Sequence, residues 1–323
     1  MATSEFKLIA RYFTHRVRHT VLGVGDDAAL IKIKPGHELA ISADMLVAGR
    51  HFLRDANPRQ LGHKALAVNL SDLAAMGAMP RWATLALALP AADTRWVSEF
   101  SRGFMALARR FDVDLIGGDT TRGPLNICVQ IMGEVRRGQA LRRGGARRGD
   151  DIWVSGTLGD AALALAAIKR RIRLKPGELA LCAARLHAPM PRIELGLTLR
   201  GIAHSAIDIS DGLLADLGHV LESSQLAAEI ELAALPASAV LRRYLDRVAA
   251  CAALLAGGDD YELCFTAPAE VRERILRAGR RAGVAVTRIG KVRSYRAGTP
   301  RLIVRAPDGA ALRVVRGGYD HFA

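Results

Sequence analysis

The sequence predicts a mixed α/β fold, α+β or α/β in class, arranged as two domains. Three observations predict it. Short apolar runs bounded by turn residues alternate with segments of helical period, and they do so in both halves. The chain has 323 residues, more than one domain commonly holds. An arginine- and glycine-rich stretch from Arg136 to Gly149 separates the halves and sets the expected boundary, residues 1–137 and 138–323.

The elements follow in order. Ser4 is placed to cap a first helix carrying Phe6, Ile9 and Phe13 on one face. Ala28 to Lys34 and Glu38 to Met45 read as strands joined at Pro35-Gly36. Asn57-Pro58 is a cap followed by proline at the first helical position, opening a helix to about Met76. A strand from Arg81 to Leu89, a helix from Thr94 to Phe111 and strands at Val113 to Ile116 and Leu125 to Val135 complete the first half. The second half begins with a strand at Ile152 to Ser155 and a helix at Asp160 to Arg171, then a helical stretch interrupted at Pro189 and Pro191. Strand Ser205 to Ile209, helix Leu213 to Ser223, strand Glu229 to Leu232 and a helix near Ala239 to Ala250 follow. Strand Tyr261 to Thr266, helix Glu270 to Ala282 and three short strands end the chain.

Composition narrows the function. Hydrophobic residues make up 50% and charged residues 24%, which excludes wholesale disorder. The strongest apolar stretch, Trp82 to Ala92, is half a membrane span, so no membrane partner is expected. Glu5 and Lys7 stand where a secretory leader would be apolar, and Cys128, Cys182, Cys251 and Cys264 show no paired spacing; both point to a reduced, cytoplasmic protein. The net charge is +14, but 39 of the 46 basic residues are Arg. That skew fits a GC-rich genome, and with 5% aromatics there is no stacking platform for nucleic acid. One cluster, Arg136, Arg137, Arg142, Arg143, Arg147 and Arg148, reads either as a solvated loop or as a phosphate-holding one.

The acidic residues say more. Five Gly/Asp turns recur, mostly at the ends of apolar runs: Gly25-Asp26-Asp27, Gly118-Asp119, Gly159-Asp160, Asp211-Gly212 and Gly258-Asp259-Asp260. Short carboxylates on tight turns are what a protein uses to hold hard cations. Gly23-Val24-Gly25-Asp26-Asp27-Ala28 also matches the dinucleotide fingerprint, but a strand follows where a helix should open, and two aspartates stand where pyrophosphate would lie. Asn69 and Asp72 share one helix face, Asp44 ends a strand, and Asp208 and Ser210 point to one side of a strand end with Asp211 placed to cap the next helix. Packed together without metal, such carboxylates repel one another, and Mg²⁺ ions bridging phosphates relieve this. The pattern points to phosphoryl transfer or nucleotide activation.

These residues resemble a known family. The runs Gly23 to Ala29, Ala65 to Gly77, Ile116 to Gly123, Ala206 to Gly212, Gly257 to Leu263 and Gly318 to Phe322 are similar, in the same order, to those of thiamine-monophosphate kinases. Those kinases share a superfamily with aminoimidazole ribonucleotide synthetase and selenophosphate synthetase. The resemblance implies an N-terminal α/β domain whose sheet pairs with its dimer mate's, a C-terminal α+β domain, and synthesis of thiamine diphosphate from ATP and thiamine monophosphate. It places Asp27, Ser42, Asp44, Asp72, Asp119, Asp208 and Asp211 at magnesium positions. Gly118, Asp119, Arg143 and Ser210 fall at ATP positions, and His51, Asp259 and Tyr319 at substrate positions. Ala43 stands where Thr is expected, which changes nothing if the backbone carbonyl is the ligand; Asp259 stands where Glu is common, and its shorter arm would reach through water. No general base is expected, since a phosphate monoester is mostly dianionic at neutral pH. The rivals are another synthetase of the superfamily and, in a different class, an RNA-binding protein using Arg136 to Arg148. The first lacks support because no Cys precedes Cys128 and the Gly318-Tyr319-Asp320-His321-Phe322 ending is present. The second would show salt-sensitive RNA binding.

Overall fold

The computed structural model describes residues 5–312 and Gly318. Ser4 and Tyr319 lie outside the described residues. The chain divides into two compact units, residues 1–73 with 78–138, and residues 74–77 with 139–323.

The first unit opens with α1 (Glu5–Leu8), which widens into a π-turn at Ile9–Phe13. A two-stranded ribbon follows, β1 (Thr20–Leu22) against β2 (Leu30–Ile31). The strand expected over residues 28–34 is thus reduced to two residues. Polar and glycine-rich Gly23–Ala28 gives it no long partner, so it pairs only with β1. Next come β3 (His37–Val47), α2 (Pro58–Ala75), β4 (Met79–Leu89), α3 (Thr94–Arg110), β5 (Asp114–Arg122) and β6 (Asn126–Arg136). The sheet order is β3-β6-β4-β5, antiparallel except for the parallel pair β4 and β5.

Asn57 caps α2 as the sequence predicts, and Asp93 caps α3. The Asn57 side-chain oxygen accepts the Arg59 and Gln60 N–H groups at 3.0 and 3.2 Å. Asp93 accepts those of Arg95 and Trp96. α2 and α3 cross at two glycines: a Cβ on Gly62 would overlap the Phe100 carbonyl, and one on Gly103 the Arg59 carbonyl. β5 runs six residues past its expected end, because Gly117 and Gly118 keep pairing with β4. On the sheet face away from α2, Trp82, Ile116 and Met132 form a small cluster onto which Ala29, Ile31 and Leu39 pack.

A buried carboxylate on β6 ties the start of the sheet together. Glu134 is 4% exposed and accepts the Lys34 N–H at 2.8 Å and Arg81 Nε at 3.3 Å. Burial pushes its pKa up, but those donors and the two cations outweigh burial, and it ends below the usual Glu value. The unfolded chain therefore takes up this proton at a higher pH than the folded one. The stabilisation is complete above the ordinary Glu range and is lost as the pH falls through the lower folded value. Thermal melts should show Glu134→Gln less stable than wild type at neutral pH, with the gap closing as the pH falls below the ordinary Glu range. A gap that widens in acid would contradict this.

The second unit holds a seven-stranded sheet in the order β13-β12-β9-β11-β7-β10-β8. Its strands are β7 (Asp151–Ser155), β8 (Ser205–Asp208), β9 (Leu226–Glu231), β10 (Leu263–Ala267), β11 (Val286–Ser294), β12 (Leu302–Arg305) and β13 (Ala311–Leu312). Among the described residues of this sheet, only β9 and β12 pair in parallel. The helices are α4 (Asp160–Ile168), α5 (Pro176–His187), α6 (Ile193–Leu199), α7 (Leu213–Ser223), α8 (Ala239–Arg242), α9 (Val248–Ala256) and α10 (Arg272–Arg281). The helix expected over residues 239–250 is therefore two, parted at Arg243–Arg247, where five residues hold three charges and break the apolar stripe. Alternation along β7 decides the layers. Ile152 and Val154 enter the main core with Ile207, Leu217 and Ile289, whereas Trp153 faces the other way and stacks on Phe265 at 6.4 Å.

Candidate active site

In the first unit, a cavity of about 630 Å³ lies between the loop 24–29 and the outer face of β4 and β5. Its walls include Asp26 and Asp27 on one side and Gly118 and Asp119 on the other, with Thr84, Ile9 and Phe13 also lining it. Loop 23–29 opens no helix, which removes the dinucleotide reading. Gly118 has φ +144°, and a Cβ there would overlap the Leu85 carbonyl, so only glycine lets β5 stay paired while it turns Asp119 into the cavity. Asp27 and Asp119 are both exposed.

Ser42 and Asp44 are on β3 and meet α2. The Ser42 hydroxyl donates to Asp72 Oδ2 at 2.5 Å, and the Asp44 N–H donates to Asn69 Oδ1 at 3.1 Å. The register runs Met45–Cys128–Ala86–Asp119 across the sheet. Asp119 therefore shares a face with Met45, and Ser42 and Asp44 are on the opposite one. Three strand spacings also separate β3 from β5, about 14 Å. The first unit thus groups Asp27 with Asp119, and Ser42 and Asp44 with Asp72, as two sets. His51 follows β3 in a tight turn, where its Nδ1 accepts the Val47 N–H at 3.0 Å. In the neutral ring the proton is then on Nε2.

In the second unit, the ends of β8 and the loop before β10 are sewn together. The Asp259 N–H donates to the Ser210 carbonyl at 2.9 Å, and the Tyr261 N–H donates to that of Ile209 at 2.8 Å. This brings Asp208, Ser210, Asp211 and Asp259 to one rim. Asp259 holds φ +69°, and its Oδ1 accepts the Tyr261 hydroxyl at 3.0 Å. Behind that loop, buried Glu262 takes a two-pronged ion pair from Arg192 and a hydrogen bond from Ser155 Oγ at 2.6 Å. Arg143 lies elsewhere on the unit. The Arg142 carbonyl accepts the Ala206 N–H and the Arg143 carbonyl accepts Ser224 Oγ, so the segment sits at the C-terminal end of α7. Ser210 lies beyond its N-terminal end, about 16 Å away along the helix. The structure does not bring Arg143 to Ser210.

Asp211 does not cap α7. The N-cap is Gly212, and the side chain that collects the orphan donors is Asp216, whose Oδ2 accepts the N–H groups of Ser210, Asp211 and Gly212, each at 3.1 Å. Burial, reinforced by the charge of Asp211, pushes Asp216 up to about 7 against those three donors. The first turn of α7 is therefore already occupied by an internal carboxylate. Asp216 was legible only as an acidic residue in a first helical turn.

Among the described residues, no three His, Cys, Asp or Glu side chains gather around one point. The donors that line the cavity and the rim are hard oxygens, which suit Mg²⁺. Mg²⁺ is commonly held by one or two carboxylates, with water and substrate phosphate oxygens completing its shell.

Comparison with known proteins places the chain. Residues 25–135 match AIR synthase related protein, N-terminal domain, and residues 147–302 match its C-terminal domain. The two units are those of an AIR synthase-related protein. Over the whole chain and 99% of its own length, thiamine-monophosphate kinase of Escherichia coli K12 is 48% identical, and that of Haemophilus influenzae is 43% identical. The crystal structure of thiamine-monophosphate kinase from Stenotrophomonas maltophilia is 46% identical, with a TM-score of 0.84 over 95% of this chain and 96% of that one. AaThiL complexed with AMPPCP and TMP is 33% identical, with a TM-score of 0.77 over 93% and 92%. Within its class, the chain belongs to the thiamine-monophosphate kinase family.

Proposed function

We propose that this protein transfers the γ-phosphoryl group of ATP to thiamine monophosphate, giving thiamine diphosphate and ADP. The observation that carries the reading is the full-length relation to thiamine-monophosphate kinases, one of which, AaThiL, is known in complex with AMPPCP and TMP. The test is direct. Purified protein, ATP, Mg²⁺ and thiamine monophosphate should yield thiamine diphosphate and ADP in equal amounts; hydrolysis of ATP without diphosphate formation would reject the assignment.

Gly118, Asp119 and Ser210 are assigned to ATP, supported by glycine geometry beside Asp119 and by the turn that Asp216 holds. Arg143 is assigned to ATP by resemblance alone. Asp27, Ser42, Asp44, Asp72, Asp119, Asp208 and Asp211 would hold magnesium, which, when bound, screens the repulsion between two phosphate groups. The chain itself positions. Loop 24–29 and β5 confine one end of the reactants, and the Ser42–Asp72 bond orients a second set of oxygens. His51 and Asp259 are assigned to the organic part of the acceptor, together with Tyr319.

The enzyme acts as a homodimer in the cytoplasm, without nucleic-acid or membrane partners. The outer face of the first unit's sheet supports the dimer. Ile41 and Met45 are each 55% exposed there, with Ala43 and Ala86 exposed on the same face. All four cysteines are free, and no described helix is long and apolar enough to cross a membrane. Sedimentation equilibrium should give twice the chain mass for wild type and a single chain for Ile41→Arg/Met45→Arg. A double variant that keeps the wild-type mass would remove this face from the interface.

A further inference from the structure

The geometry points to Asp114 as the positioning residue that sets loop 24–29 against Asp119. β5 carries both aspartates. Asp119 lines the cavity, whereas Asp114, at the strand's first position, is 6% exposed and turned to the N-terminal segment. Its carboxylate gathers donors from three consecutive residues. Oδ1 and Oδ2 share the Arg18 N–H at 2.9 Å, and Oδ2 also accepts the His19 N–H at 2.6 Å and the Thr20 hydroxyl at 2.8 Å. Neighbouring groups fix the same spot. Trp82 Nε1 donates to the His19 carbonyl at 3.2 Å, and the His19 ring meets Asp112 at 2.8 Å.

At its far end the ribbon is held by the Lys34 N–H on Glu134, and between these two polar roots it is lightly packed. β1 pairs only with β2, and Val21 and Leu30 are 68% and 54% exposed. From the ribbon, Ala29 and Ile31 pack onto the Trp82 cluster of the sheet. The loop that carries Asp27 is thus hung from a ribbon whose root is a polar clamp on the strand that carries Asp119. Removing the carboxylate would leave the Arg18 and His19 amides without acceptors in a half-buried seam, and the ribbon would move to rehydrate them. The four-stranded ladder does not run through these bonds and would stay intact. The separation of the two cavity walls, and the grip on the metal–nucleotide that rests on it, would be lost.

The inference rests on the kinase reading for its ligand and on the ligand-free protein for its geometry, so two measurements are needed. Hydrogen exchange without ligand should show Asp114→Ala opening residues 17–31, with 79–136 as protected as in wild type. Calorimetry with Mg²⁺ and AMPPCP should show affinity weakened about tenfold or more, and Asp114→Asn, which keeps one acceptor oxygen, should fall between. If Asp114→Ala does not fold, Thr20→Val removes one donor, with an expected loss of about two- to threefold and the same local opening. Unchanged affinity, or exchange rising equally across the whole sheet, would overturn the clamp and leave Asp114 a plain structural residue. A wild type that makes no thiamine diphosphate rejects the kinase reading instead, and the ligand-free exchange still decides the clamp.

Discussion

Asp119→Asn should lower turnover by about two to three orders of magnitude while leaving the melting curve within a degree or two of wild type. The fold should survive because the Asp119 side chain is exposed and β5 is held to β4 through backbone pairing. The chemistry should not survive, because the change removes a full negative charge from the cavity wall that faces Asp27 and keeps the shape. An amide is a poor magnesium donor, and positioning by charge carries much of the catalysis in phosphoryl transfer. Raising the Mg²⁺ concentration should recover part of the rate. The Asp119→Glu variant should recover less than its charge suggests, since the longer arm displaces the oxygens from a position fixed by Gly118. Steady-state rates across a magnesium titration, paired with thermal melts, check this. Near-wild-type turnover with a normal melt would take Asp119 out of the site.

The sequence made much of this visible, and for identifiable reasons. Caps at Asn57 and glycine turns at Gly25, Gly118 and Gly212 are local devices, so their residues alone predict them. Short apolar runs bounded by turn residues marked β4, β6, β7 and β10 within a few residues. What stayed hidden depends on distant partners. Asp114 has no motif around it, and its three donors are 94 to 96 positions away. Glu262 reads as the tail of a Gly-Asp-Asp turn until Arg192 and Ser155 are found on it. The separation of Asp119 from Asp44 onto opposite sheet faces follows from strand register, which short runs of residues do not encode. The resemblance put Arg143 and Ser210 together at ATP positions, while the chain puts them at opposite ends of α7.

Free thiamine should be an acceptor about a thousandfold or more poorer in kcat/KM than thiamine monophosphate. The reasoning starts from what each molecule offers. The monophosphate presents an oxygen that is already anionic at neutral pH, because its second proton leaves near pH 6. The hydroxyl of thiamine is neutral and must lose a proton as it attacks. His51 is the imidazole assigned near the acceptor, and its Nδ1 already accepts the Val47 N–H, which leaves a donor and not a base at Nε2. The aspartates assigned to the reactants would, on the proposed reading, be committed to holding magnesium. Thiamine also lacks the phosphate that magnesium, when bound, would grip, so it would forfeit the orientation on which an in-line transfer depends. The deficit should therefore appear in kcat as well as KM, and a more alkaline buffer should not restore it. Competition of the two acceptors under one enzyme, with products separated by chromatography, measures the ratio. Comparable rates for thiamine and its monophosphate would mean that a base is present and that the aspartates do more than position.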